Sequence, residues 1–103
     1  AKWGIVGLTK SMAMELGDYG VRVNAICPGA VSGPRMEKVL SIESDASGLT
    51  QDELRKVYSE GTAMRSFVSE DNVADMAVFL ASDKASMITG QAIAVDGYTE
   101  RTV

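Results

Sequence analysis

The 103-residue sequence contains no histidine, one cysteine and two prolines. Without histidine, no imidazole base and no His/Cys zinc site can come from this chain, and no metal centre is expected. A single cysteine, Cys27, cannot close an internal disulfide, which favours a reducing, cytoplasmic setting. No apolar run approaches the ~20 residues that a bilayer-spanning helix needs, so no membrane partner is expected. The basic residues never cluster, and the formal net charge is -4. An acidic chain without a basic patch gives no electrostatic footing for nucleic acid. There is no N-x-S/T glycosylation signal and no G-x-G-x-x-G loop. Gly4-Ile5-Val6-Gly7-Leu8-Thr9-Lys10-Ser11 superficially resembles a phosphate-binding P-loop. It has Thr9 where that motif needs glycine, and no strand precedes it.

What is present is ordinary globular composition, 46% apolar and 23% charged, in a length that suits one domain. Residues 1–17 read as a helix, because Ile5, Leu8, Met12 and Leu16 recur at helical spacing and Trp3, Val6 and Ala13 widen that face. Gly4 and Gly7 weaken such a helix by about 1 kcal/mol each relative to alanine. Close approach of another helix would compensate. Val21–Ile26 reads as a strand that breaks at Cys27-Pro28-Gly29. Met36, Val39 and Leu40 share one helical face. The polar stretch from Ser41 to Thr50 reads as a mobile connection, and Asp52–Glu60 as a second short helix. Together 34–66 form a helix pair inserted between regular elements, a placement that suits a cover over a site. Ser69 is an N-cap, with Glu70 and Asp71 in the first turn of a helix ending near Ala81. Residues 82–90 form a turn, and Gln91–Val95 a last strand. Helix alternating with strand predicts an α/β fold with a parallel sheet.

Most candidate chemistry has an ordinary structural explanation. Asp52 and Glu53, like Glu70, Asp71 and Asp75, sit near helix starts, where acids favour the dipole. Cys27 has no local base and reads as a structural thiol. Lys2 alone could be a solvated terminal charge. Lys2 together with the Asn24–Gly29 strand end and the inserted helix pair makes a more specific pattern.

That pattern resembles the short-chain dehydrogenase/reductase family over nearly the whole chain. Ala1-Lys2 through Glu15-Leu16 is similar to the helix that follows the family's Tyr-x-x-x-Lys pair. Gly20-Val21-Arg22-Val23-Asn24-Ala25-Ile26-Cys27-Pro28-Gly29 is similar to its strand before the nicotinamide. Thr89-Gly90-Gln91-Ala92-Ile93-Ala94-Val95-Asp96-Gly97 is similar to its last strand. The resemblance implies the C-terminal part of a Rossmann-type, doubly wound parallel sheet: two strands, flanking helices and a small helical lid. All 103 residues would belong to one NAD(P)-binding domain, with 34–66 as the substrate-covering insertion. It also implies interconversion of an alcohol and a ketone by hydride transfer with NAD or NADP.

On the same resemblance, Lys2 is the lysine of the catalytic pair and a cofactor contact, since an ammonium beside a phenol favours its anion. Pro28, Gly29 and Val31 line the nicotinamide, with the Val31 backbone orienting the carboxamide. Met36, Val39, Leu40 and Tyr58 face the alcohol or ketone substrate, or alternatively only anchor the lid. Gly33 departs from the family, which often has threonine there. The tyrosine, the catalytic serine and the glycine-rich loop are not in these residues, so the chain alone is expected to be catalytically silent. A homodimer or homotetramer is implied for the parent. Two other readings stay open: a self-associating interaction fragment, and a non-catalytic relative that binds a nucleotide.

Overall fold

The computed structural model describes residues 2–99; Ala1, at the start of the expected first helix, lies outside them. Helix α1 (Lys2–Leu16) runs into a short 3₁₀ turn and then strand β1 (Ala25–Pro28). Helices α2 (Pro34–Ser47) and α3 (Gln51–Glu60) form the inserted pair, and α4 (Glu70–Ala81) leads through a second 3₁₀ turn to β2 (Ala92–Val95). The strands pair in parallel, Ala25 opposite Ala92 and Pro28 opposite Val95. Parallel strands need a long crossover, and α2, α3 and α4 make it. Helix α4 packs on both strands, and α1 on β1.

Strand β1 begins later than expected. Before Ala25 the chain is held chiefly by side chains. Asn24 donates to the Ile88 carbonyl at 2.9 Å and accepts from the Gln91 amide at 3.1 Å. The Val23 amide donates to the Thr89 hydroxyl. Arg22 turns back to the carbonyls of Leu80, Ser82 and Ala85, where a guanidinium satisfies the open C-terminal end of α4. The ladder proper starts with the Ala25 amide bonded to the Gln91 carbonyl. It also extends further than expected, through Pro28. The Ala25 and Gly29 amides donate to β2. Alternate amides point to opposite edges of a strand, so the missing N–H of Pro28 falls on the other edge, where it costs no bond in this ladder.

Two further expectations need correction. The stretch from Ser41 does not begin a mobile connection: α2 continues to Ser47 and stops at Gly48, whose φ of 79° lets its amide reach the Ser44 carbonyl. The linker is then only Gly48 to Thr50, because Thr50 and Glu53 close a capping box at the start of α3. The two helices are tied by Arg55 to Glu37 and by the Tyr58 hydroxyl to Glu43 at 2.7 Å. The last of these requires α2 to extend past Ser41.

The second correction concerns α1. Its apolar stripe is not its buried face. Ile5, Leu8 and Met12 are exposed, while Thr9 and Ala13 are buried. Small side chains are what fit against the turn before β2: Ala13 lies opposite Gly90, and the Lys10 ammonium bonds the Gly90 carbonyl. No neighbour approaches Gly4 or Gly7 within 4 Å of where a side chain would begin, so the expected second helix is not there among the described residues. Ser69 caps α4 as expected, reciprocally with Asn72. None of the helices among the described residues is long and apolar enough to cross a membrane.

Candidate active site

Ligand sites in open parallel sheets form beyond the carboxyl ends of the strands, and here those ends are Pro28 and Val95. A cavity of about 480 Å³ opens there. It brings together Lys2 from the first turn of α1, Pro28 and Gly29 from the end of β1, Met36 from α2 and Tyr58 from α3. A second cavity, of about 330 Å³, shares Pro28, Gly29 and Met36 with the first and adds Val31 and Val39. Leu40 lines neither. It is fully buried, which favours the alternative that it anchors the lid over the one that it faces substrate. Met36 and Val39, on the same helical face, do line the cavities.

Gly29 is fixed by its surroundings. A Cβ at this position would lie 2.8 Å from the Asp96 Cβ and 3.0 Å from its Cα. The glycine therefore lets the chain leaving β1 pass against the chain leaving β2. Gly29→Ala is expected to cost about 1–3 kcal/mol through overpacking against main chain. Urea melts of the two proteins give the difference, and an unchanged midpoint would refute the contact.

The segments around the cavities are pinned. Val31 pairs with Val68 in a parallel bridge, with the Ser32 amide bonded to the Val68 carbonyl and the Val68 amide to the Ala30 carbonyl. In that geometry the N–H and C=O of Val31 itself point away from Val68. They form no hydrogen bond among the described residues. On the far side, Thr62 bridges to Thr99, while Ala63 and Met64 donate to the carbonyls of Tyr98 and Gly97. The Thr62 hydroxyl also donates to the Ser59 carbonyl and accepts from the Ser66 amide. The base of the helix pair is thus stitched to the chain after β2. Tyr58 stacks edge-on against Phe67, ring centres 6.3 Å apart, and its hydroxyl is spent on Glu43.

Lys2 is exposed and makes no hydrogen bond or ion pair among the described residues. The site therefore offers an unpaired ammonium, an open backbone donor–acceptor pair at Val31, and apolar walls from Ile5, Ile26 and Met36. That donor set fits the ribose hydroxyls, carboxamide and ring of a nicotinamide nucleotide.

Sequence reasoning did not place Asp96, Thr62 or Thr99 at this site, and all three line the larger cavity. Their place depends on strand register and on the bridge to the helix pair, which no local pattern records. Cys27, read as a buried thiol, is half-buried and also borders the cavity. Gly33, the departure from the family pattern, has φ 147°, a region that side-chain-bearing residues avoid. Its side-chain position is already occupied by the Glu70 carboxylate, with Oε1 2.8 Å away. Threonine would be strained there.

The parallel strand pair, its flanking helices and the cavities beyond the strand ends are those of a Rossmann-type α/β fold. Comparison with known proteins narrows the class. A family model described as Enoyl-(Acyl carrier protein) reductase matches residues 1–99. The chain is 40% identical over 98 residues to D-beta-hydroxybutyrate dehydrogenase of Rhizobium meliloti (strain 1021), covering 94% of this chain and 38% of that protein. A short chain dehydrogenase family protein from Francisella tularensis subsp. tularensis SCHU S4 superposes with a TM-score of 0.88 at 31% identity, over 93% of this chain and 40% of that one. L-sorbose reductase from Gluconobacter frateurii, solved with NADPH and L-sorbose, gives 0.86 at 27% identity, over 99% and 39%. The chain belongs to the short-chain dehydrogenase/reductase family. It spans about two-fifths of the length of the relatives it matches.

Proposed function

We propose that these residues form the nicotinamide-facing part of an oxidoreductase that interconverts an alcohol and a ketone with NAD(H) or NADP(H). The observation that carries the reading is the pairing of an unpartnered Lys2 ammonium with the open Val31 backbone at adjoining cavities beyond the strand ends. A bound nicotinamide supplies or accepts the hydride. Lys2 holds the ribose hydroxyls and favours the anion of a tyrosine phenol, the group that moves the substrate's hydroxyl proton. In the family's Tyr-x-x-x-Lys pair that tyrosine stands one helical turn before the lysine, a position outside these 103 residues. Its presence in the whole protein is part of the proposal. Val31 orients the carboxamide through its N–H and C=O. Pro28 and Gly29 shape the floor, and Met36, Val39 and Tyr58 face a small alcohol or ketone.

The same reading makes the whole protein a cytoplasmic homodimer or homotetramer. Trp3 and Leu8 of α1 are exposed among the described residues, which leaves an apolar surface for such an assembly. NADH and NADPH titrated into isotope-labelled protein are expected to shift the Val31 amide and the Lys2 ammonium resonances saturably. Binding of neither nucleotide, or binding that leaves Val31 unmoved, would sink the proposal.

A further inference from the structure

We propose that the smaller cavity is an oxyanion subsite with the Arg35 guanidinium as its cation. The group it takes is a carboxylate or phosphate carried by the substrate, an assignment that rests on the oxidoreductase reading above. Four arginines lie among the described residues. Arg22 is spent on carbonyls at the end of α4, and Arg55 on Glu37 and Asp52. The side chains of Arg35 and Arg65 make no hydrogen bond or ion pair among the described residues, and of these two only Arg35 lines either of the cavities described above.

The acid nearest to Arg35 in sequence is Glu37, and the Arg55 contact draws it toward α3. Glu70 lines the same cavity as Arg35 without pairing with it; its carboxylate lies instead over Gly33. The guanidinium therefore keeps its five N–H donors available, in a fork that matches an oxyanion better than any neutral group. A volume of about 330 Å³ is about ten times a water's ~30 Å³ share of the liquid, room for an oxyanion beside the carboxamide that Val31 would hold.

The place of Arg35 points to substrate. It belongs to the first turn of α2, between Pro34 and Met36, and Met36 borders both cavities. In the proposed reading the cofactor's neutral carboxamide and ribose are taken by Val31 and Lys2. A cation on the inserted helix pair meets the molecule which that pair covers. Glu70 lines the same cavity and repels an anion there, so it weakens the subsite and selects for groups that Arg35 can engage closely.

The test titrates inorganic phosphate and acetate into labelled protein, following the Arg35 side-chain Nε–H signal, for the native chain, Arg35→Gln and Glu70→Gln. Both side chains are exposed, and the amide spectrum checks that each variant stays folded. A saturable shift of Arg35 is expected, with affinity falling at least about tenfold in Arg35→Gln and rising severalfold in Glu70→Gln. No saturable shift, or equal affinity in native protein and Arg35→Gln, overturns the subsite. Repeating the titration with NADH present separates the sources. Phosphate affinity unchanged by NADH supports the substrate assignment. NADH displacing phosphate, with its own affinity falling in Arg35→Gln, assigns the site to the cofactor's diphosphate and overturns that assignment. Failure of NADH to move Val31 would refute the nicotinamide reading and leave the Arg35 result standing.

Discussion

Replacing Lys2 by methionine in the whole protein is expected, on the proposed function, to lower kcat by about 10²–10⁴-fold, the range over which a group that assists proton transfer acts. Methionine keeps an unbranched stem and helix propensity while removing the ammonium. Lys2 is exposed and makes no ion pair or hydrogen bond among the described residues, so folding stability should change by no more than about 0.5 kcal/mol. That separation makes the experiment decisive, since a large kinetic loss at constant melting temperature cannot come from misfolding. Lys2→Arg keeps the charge but presents a planar fork in place of a compact ammonium, and should recover only part of the rate. The nucleotide's dissociation constant should rise in Lys2→Met, because the same ammonium holds the ribose in the proposed site. Wild-type kcat and nucleotide affinity in Lys2→Met would remove Lys2 from the catalytic machinery.

Leu40→Ala should lose about 2–5 kcal/mol of stability, the cost of emptying a leucine-sized volume in a filled interior. Leu40 is the one large side chain that is fully buried among the described residues. The protein is elongated, 54 × 25 × 23 Å, and few other large side chains are deeply shielded to spread the loss. Leu40→Met, which keeps most of the volume, should cost less than about 1.5 kcal/mol. Chemical denaturation followed by circular dichroism measures both. A loss below about 1 kcal/mol in Leu40→Ala would contradict its place as anchor of the helix pair. Because Leu40 lines neither cavity, Leu40→Met should leave nucleotide affinity unchanged, which distinguishes an anchor from a substrate contact.

Features of the chain that depend on near neighbours were legible in the sequence. Ser69 with the acids after it marked the start of α4, and the breaks around Cys27-Pro28-Gly29 marked the end of a strand. Thr50-Gln51-Asp52-Glu53 carried an equally local signal, a capping box, and reading it would have shortened the expected mobile stretch. The family blocks at Lys2, at Pro28-Gly29 and at Gln91–Val95 were legible as well. Lys2, Pro28, Gly29, Met36 and Tyr58 do meet at one cavity. For α1, periodicity reports which side of the helix is apolar, and not which side has a partner. Ala13 is buried and lies against Gly90 in the turn before β2, information that lies nearly eighty residues away.

By itself, the sequence determined the α/β class, the cap of α4, the break after β1 and the presence of a lysine at the start of α1. It also excluded histidine chemistry. Only the tertiary structure decided that Gly29 packs against Asp96, that Leu40 is fully buried, and that the Val31 backbone is open and the Arg35 side chain unpaired beside a cavity among the described residues. The reason is physical. Propensity, capping and turn chemistry act over a few residues, and so each is written where it acts. The close contacts of the site depend on strand register and on bridges such as Thr62 to Thr99, where groups far apart in sequence meet only after the chain has folded.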